Sequence, residues 1–134
     1  MLPFSIFPYL SDRYYYLNIC SDSLLSEDFS STRLLTFLNS LPELRKVTDF
    51  EFRNVDSFPF LEILTLKAKT LDSWSNDDTN RTVTNLVTIV CSKGDTEDFE
   101  RIKVVLIKIA SFLNWPLTDE QTDDGEENKV LWTP

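Results

Sequence analysis

Asp119, Glu120, Asp123, Asp124, Glu126 and Glu127 crowd into "DEQTDDGEE", which lies between Trp115 and Trp132 in "NWPLTDEQTDDGEENKVLW". Carboxylates at this density can do three kinds of chemistry. Two of them can act as an acid and base pair, several can converge on a hard cation, or the group can pair with a cationic surface. The first needs two carboxyl groups set apart by environment, and nothing in the sequence isolates two of these in an apolar pocket. The second needs a defined loop. An EF-hand has Asp at position 1, oxygen ligands at 3 and 5, Gly at 6 and Glu at 12, because the ligands converge around a bend that only Gly permits easily. Counting from Asp119 puts Asp124 where the glycine belongs. Counting from Glu120 puts Gly125 correctly but gives Thr122 at position 3 and Leu131 at position 12. Neither register works, so no metal and no cofactor is expected, and charge pairing is the chemistry left. A smaller constellation, Trp74 with Asp77 and Asp78, repeats the pairing of an aromatic residue with carboxylates.

Other catalytic chemistries lack their parts. There is no histidine in the chain, so Ser-His-Asp and Cys-His nucleophiles are excluded and the common zinc sets cannot be assembled. The two glycines, Gly94 and Gly125, are too few and too far apart for a phosphate cradle. Cys20 and Cys91 each sit in an apolar run and read as reduced, buried thiols that act as small hydrophobes. No catalytic residue is expected, and the protein is not read as an enzyme.

The charge balance sets the class of partner. Thirteen Lys plus Arg against 22 Asp plus Glu give a formal net charge of -9 over 134 residues. Such a chain is repelled by nucleic-acid phosphates and by anionic lipid, so neither nucleic acid nor a membrane is expected, and a basic protein is. The opening "MLPFSIFPYLSDRYYY" lacks a basic region and a small-residue cleavage site and is cut by Pro3 and Pro8, which argues against a secretion signal. No apolar run approaches the ~20 residues that span a bilayer. A cytoplasmic protein is the expectation, and "NRT" at Asn80 to Thr82 is then an accidental glycosylation match.

The elements that must position the carboxylates follow from periodicity. "RYYYLNIC" reads as a strand with Leu17 and Ile19 facing a core. "SEDFSSTRLLTFLNSLPEL" reads as a helix with Leu34, Leu38 and Leu41 at helical spacing, stopped by Pro42. "VTDFEFRN" and "FLEILTLKAKTL" alternate as half-buried strands, the second with Leu64, Leu66 and Ala68 inward. "TVTNLVTIVCSK" is a further strand, pairing with the previous one as a hairpin whose long tip carries Trp74, Asp77 and Asp78. A second helix is predicted from an Asp95 cap, with Phe99, Ile102, Leu106, Ile109 and Leu113 on one stripe and Pro116 ending it. The acidic stretch is then a turn, with Asp124-Gly125 as the turn pair, leading to a last short strand "KVLWT". Strand, helix, three strands, helix, strand over 134 residues implies a single α+β domain. The expected architecture is a mostly antiparallel sheet of about five strands with two helices on one face, a ferredoxin-like variant.

The segment "IKIASFLNWPLTDEQTDDGE" resembles the C-terminal end of small acidic immunity proteins of bacterial toxin–immunity systems. In these a helix closes on a Leu-x-Trp segment followed by an acidic D-x-Q-T turn. The resemblance implies a non-catalytic inhibitor that covers the basic surface of a cognate toxin, such as a nuclease. The same physics would serve an acidic DNA mimic of the phage type directed at a nuclease. A homomeric scaffold or regulatory domain would use an exposed sheet face instead.

Overall fold

The computed structural model describes residues 14–71, 78–122 and 124–134. Its first strand, β1 (Tyr14–Ile19), alternates as aromatic and β-branched residues do on a pleat: Leu17 and Ile19 turn to one face and Asn18 to the other. In chain order there follow β2 (Phe29–Ser30), α1 (Ser31–Ser40), β3 (Leu44–Lys46), β4 (Glu51–Asn54), β5 (Leu61–Leu66), β6 (Val83–Thr84), β7 (Leu86–Ser92), α2 (Thr96–Leu113), β8 (Leu117–Gln121) and β9 (Glu127–Trp132). Seven strands form one sheet in the order β3-β4-β5-β7-β1-β8-β9, and β2 and β6 make a separate two-stranded ladder.

Among the described residues the class is α+β, with two helices and a mostly antiparallel sheet, but the sheet has seven strands rather than five. The additional two have identifiable causes. β3 is only three residues long and starts two residues after Pro42, and β8 begins directly after Pro116 in a stretch whose carboxylates read as a turn. A ferredoxin-like variant is not confirmed. Every described pairing is antiparallel, including those of β1 with β7 and with β8.

Both helices start on side-chain caps. The Ser30 hydroxyl accepts from the Arg33 N–H at 3.2 Å, and the Asp95 carboxylate accepts from the Asp98 N–H at 2.8 Å, with Glu97 and Asp98 in the first turn of α2 favoured by the helix dipole. Asn114, at φ 60°, closes α2 in the left-handed region, and Pro116 prevents continuation. Ile102, Val105, Leu106, Ile109, Ala110 and Leu113 of α2 meet Leu34 and Leu38 of α1 over Leu17, Ile19, Ile63, Val87, Ile89 and Leu117 of the sheet. At about 1.5–3 kcal/mol for each large apolar side chain fully buried, this layer supplies most of the driving force for folding.

The opposite face is also covered in its middle. Cys20, Leu25, Leu66, Ala68 and Leu86 form a second, smaller cluster there. β5 therefore packs on both sides, and is not half-buried as its alternation suggested: Leu61 and Ile63 face the helices while Leu64 and Leu66 face the second cluster. Cys91 belongs to the helix-side core and Cys20 to the second cluster, and both are free thiols. Burial, with a lesser contribution from Asp119, pushes Cys91 up to about 12; burial, with Asp22, pushes Cys20 up to about 11. Both remain protonated and unreactive at neutral pH in the folded chain. Among the described residues, no helix is long and apolar enough to cross a membrane.

The orientation of α2 can be tested by truncation. Leu106, fully buried, and Val104, 55% exposed, lie on opposite sides of the same helix. Leu106→Ala is expected to lower the unfolding free energy by about 2–5 kcal/mol, and Val104→Ala to leave it within about 0.5 kcal/mol. Urea unfolding of the two variants checks this, and similar losses in both would place the helix differently.

Candidate functional site

The six carboxylates of the C-terminal stretch are separated by the pleat and by the hairpin that β8 and β9 form. Asp119 pairs across from Leu17 on the helix-covered face, and it is 5% exposed. Its carboxylate accepts from the Gln121 N–H at 3.2 Å and lies close enough to Cys91 to disfavour the thiolate. The sequence grouped Asp119 with surface carboxylates; its burial makes it a residue of the fold, held where β8 meets β1. Glu120, one position on, points to the opposite face and is half-buried, near enough to Tyr16 for its charge to raise the phenol, after the larger effect of that ring's own burial. Asp124, Glu126 and Glu127 are exposed on the turn and the start of β9.

The turn is built, not merely solvated. Thr122 N–H donates to the Glu126 carbonyl at 2.8 Å, and Gly125 N–H donates to the Thr122 carbonyl at 2.9 Å. The Thr122 hydroxyl accepts from the Glu126 N–H at 3.0 Å and donates to the Asp124 carboxylate. Gly125 sits at φ +88°, a conformation that other residues adopt only with strain. The Thr122 hydroxyl, backbone N–H groups and the nearby Lys129 ammonium hold the Asp124 carboxyl below the usual range, so it stays charged.

Several basic residues elsewhere are already committed to ion pairs. Lys46 and Arg81 both pair with Asp49 (3.3 and 3.0 Å), Arg53 with Glu62 (2.5 Å), Lys67 with Asp28 (2.7 Å) and Lys103 with Glu100 (3.7 Å). Among the described residues, no ion pair involves Asp124, Glu126 or Glu127. The hairpin thus carries exposed negative charge, with Lys129 of β9 the basic residue near Asp124. No group of three or more His, Cys, Asp or Glu is placed to hold a metal ion among the described residues.

The second expected constellation is only partly in view. Trp74, Asp77 and Asp123 lie outside the described residues. Asp78 is half-buried and does not mark a projecting tip, because its carbonyl accepts from the Lys67 N–H at 2.7 Å, which brings it back to the end of β5. The same long connection reaches the acidic hairpin through Leu71, which lines a cleft of about 290 Å³ together with Asn18, Glu120, Gln121, Glu127 and Asn128. Of the flanking tryptophans, Trp115 is a core residue, 2% exposed and edge-on to Phe29, and Trp132 is half-buried against the same core.

Asn18 is the residue that sequence reasoning missed. It is fully buried in the middle of the second face, between Thr88 of β7 and Thr118 of β8. Both threonine hydroxyls donate to main-chain carbonyls, Thr88 to Leu64 at 3.5 Å and Thr118 to Asn18 at 3.4 Å. Neither Oδ1 nor Nδ2 of Asn18 has a hydrogen-bond partner among the described residues. A buried donor or acceptor left unmatched costs about 1–3 kcal/mol. The available signal was Asn at the centre of "YYYLNIC", an otherwise aromatic and apolar strand.

No family model, no curated protein and no solved structure matches this chain.

The separation of Asp119 from the rim predicts unequal responses to charge reversal. Asp119→Lys would set an ammonium in the core and is expected to destabilise by several kcal/mol. Glu126→Lys and Glu127→Lys are expected to stay within about 0.5 kcal/mol each. Equal effects in a urea titration would mean that Asp119 is as exposed as its neighbours.

Proposed function

We propose that this chain is a non-catalytic inhibitor that binds a basic protein and covers its cationic surface, in the manner of an immunity protein for a cognate toxin such as a nuclease. The observation that carries the reading is the β8–β9 hairpin: Asp124, Glu126 and Glu127 stand exposed, without an ion pair among the described residues, on a turn fixed by its own hydrogen bonds. Carboxylates on a rigid support lose little conformational freedom on meeting a partner, and like-charged rims speed encounter with an oppositely charged groove. The excess of 22 acidic over 13 basic residues extends that field over the molecule.

The absence of histidine and of a glycine-rich loop supports a non-catalytic role. The same rim would serve an acidic mimic of DNA. The toxin-directed reading stands first because the segment that carries the resemblance, from α2 through the Trp115 junction into β8, is one continuous structural piece. Within it the Trp115 N–H donates to the Ala110 carbonyl at 3.1 Å, fixing how the hairpin leaves the helix.

Affinity capture from the native host tests this. The unmodified chain is expected to retain a basic protein whose association slows as salt rises, and to inhibit that protein at equimolar ratio. A variant with Asp124, Glu126 and Glu127 all changed to Lys is expected to fold normally and bind at least about tenfold more weakly, chiefly through a slower on-rate. Unchanged affinity and unchanged salt dependence would remove the hairpin from the interface.

A further inference from the structure

The cleft beside the acidic rim has a composition that the rim alone does not explain. Two carboxylates, Glu120 and Glu127, and three carboxamides, Asn18, Gln121 and Asn128, line it, with Leu71 as its apolar component. Carboxylates near a turn could be no more than a solvated surface. Asn18 is the independent observation. It is fully buried on β1, an interior strand of the sheet, its threonine neighbours donate to main-chain carbonyls, and both of its polar atoms are unmatched among the described residues. A position there that served packing alone would favour an apolar residue, since the helix-side neighbours Leu17 and Ile19 are apolar and fully buried.

We propose that this cleft binds a guanidinium group, with Asn18 at its floor and the carboxylates of Glu120 and Glu127 as counter-charges. The donor inventory selects this ligand. Carboxylates only accept, and the oxygens of the three carboxamides add further acceptors. A guanidinium offers five N–H donors in one plane and is weakly enough hydrated to be drawn into a recess, and its flat face suits an apolar wall such as Leu71. An ammonium is a smaller, more strongly hydrated point charge, and for a divalent cation no group of three or more His, Cys, Asp or Glu is placed to hold it among the described residues. With the Asn18 oxygen accepting from the guanidinium, its NH₂ is left to donate to a neighbouring carboxylate, so both ends of the carboxamide are matched in the bound state. Because Asn18 is fully buried in the free chain, the side chains of Glu120 or Gln121 turn aside as the cation enters. The guanidinium can belong to an arginine of the protein partner or to a small molecule, and the chemistry of the cleft is the same for both.

The inference deepens the partner-binding reading, but its test needs no partner. The full chain, labelled with ¹⁵N, is titrated with L-arginine, with N-acetyl-L-arginine N-methylamide, and with L-citrulline, the neutral isostere. Saturable shifts are expected for the Asn18 side-chain NH₂ pair and for the backbone amides of Glu120 and Glu127 with both arginine compounds, and none with citrulline. Capped arginine binding as well as the free amino acid assigns the site to an arginine within a partner chain; binding that requires the free α-groups assigns it to a small molecule. Asn18→Val is expected to abolish the shifts. Glu120→Gln and Glu127→Gln keep the size and shape of the side chains and are each expected to weaken binding about tenfold or more, which covers the case in which Asn18→Val does not fold. No saturable shift, equal shifts with citrulline, or undiminished binding by all three variants would overturn the proposal. Glu127 borders both the rim and the cleft, so the two readings are separated by reversing Asp124 and Glu126 alone: a failure here leaves those rim carboxylates free to bind a partner, and unchanged partner binding by that double variant leaves this cleft standing.

Discussion

The position of β1 is the constraint on which the rest depends. It is the first described strand, yet it lies inside the sheet, antiparallel to β7 on one side and to β8 on the other. Among the described residues, β8 has no other sheet neighbour except β9, so within them the C-terminal hairpin joins the sheet through β1. Its alternation then assigns every nearby residue to a layer. Leu17 and Ile19 anchor the helix-side core, and Asn18 turns to the second face.

That pairing explains how one acidic stretch can hold residues of different roles. A strand alternates its side chains, so consecutive carboxylates in β8 must go to opposite faces. Asp119 goes beneath the helices and Glu120 to the cleft, and the carboxylates free of the sheet begin only at the turn. The proposed binding surface is therefore a rim with a recess next to it. Charges that project from a hydrogen-bonded hairpin keep their spacing, which a disordered acidic tail would not, and defined spacing is what a specific charge-paired interface requires.

Much of this was legible in the residues. The stripe Ile102, Leu106, Ile109 and Leu113 keeps helical spacing through α2 and is buried as expected, because helix packing rewards a single apolar face. The aromatic and β-branched runs of β1, β4, β5 and β7 read as strands for a related reason. β8 did not. In "LTDEQ" only Leu117 is apolar, and the inward position two residues later is Asp119, so a strand edge with a buried carboxylate has the composition of a turn. Asn18 was hidden in the opposite way, by the apolar residues on either side of it. Both misses concern polar groups that tertiary structure buries, and a burden of that kind is read from partners in space and not from neighbours in sequence.

The central claim is that the acidic stretch is a strand locked to β1 that ends in a fixed turn, and not a solvated acidic tail. Native-state hydrogen exchange tests it most directly, because local opening is measured residue by residue. The backbone amides of β8 that bond to β1 are predicted to exchange nearly as slowly as those of Leu17 and Ile19, with the exposed turn at Asp124 exchanging much faster. Uniformly fast exchange from Leu117 through Glu127, with β1 still protected by β7, would contradict the account.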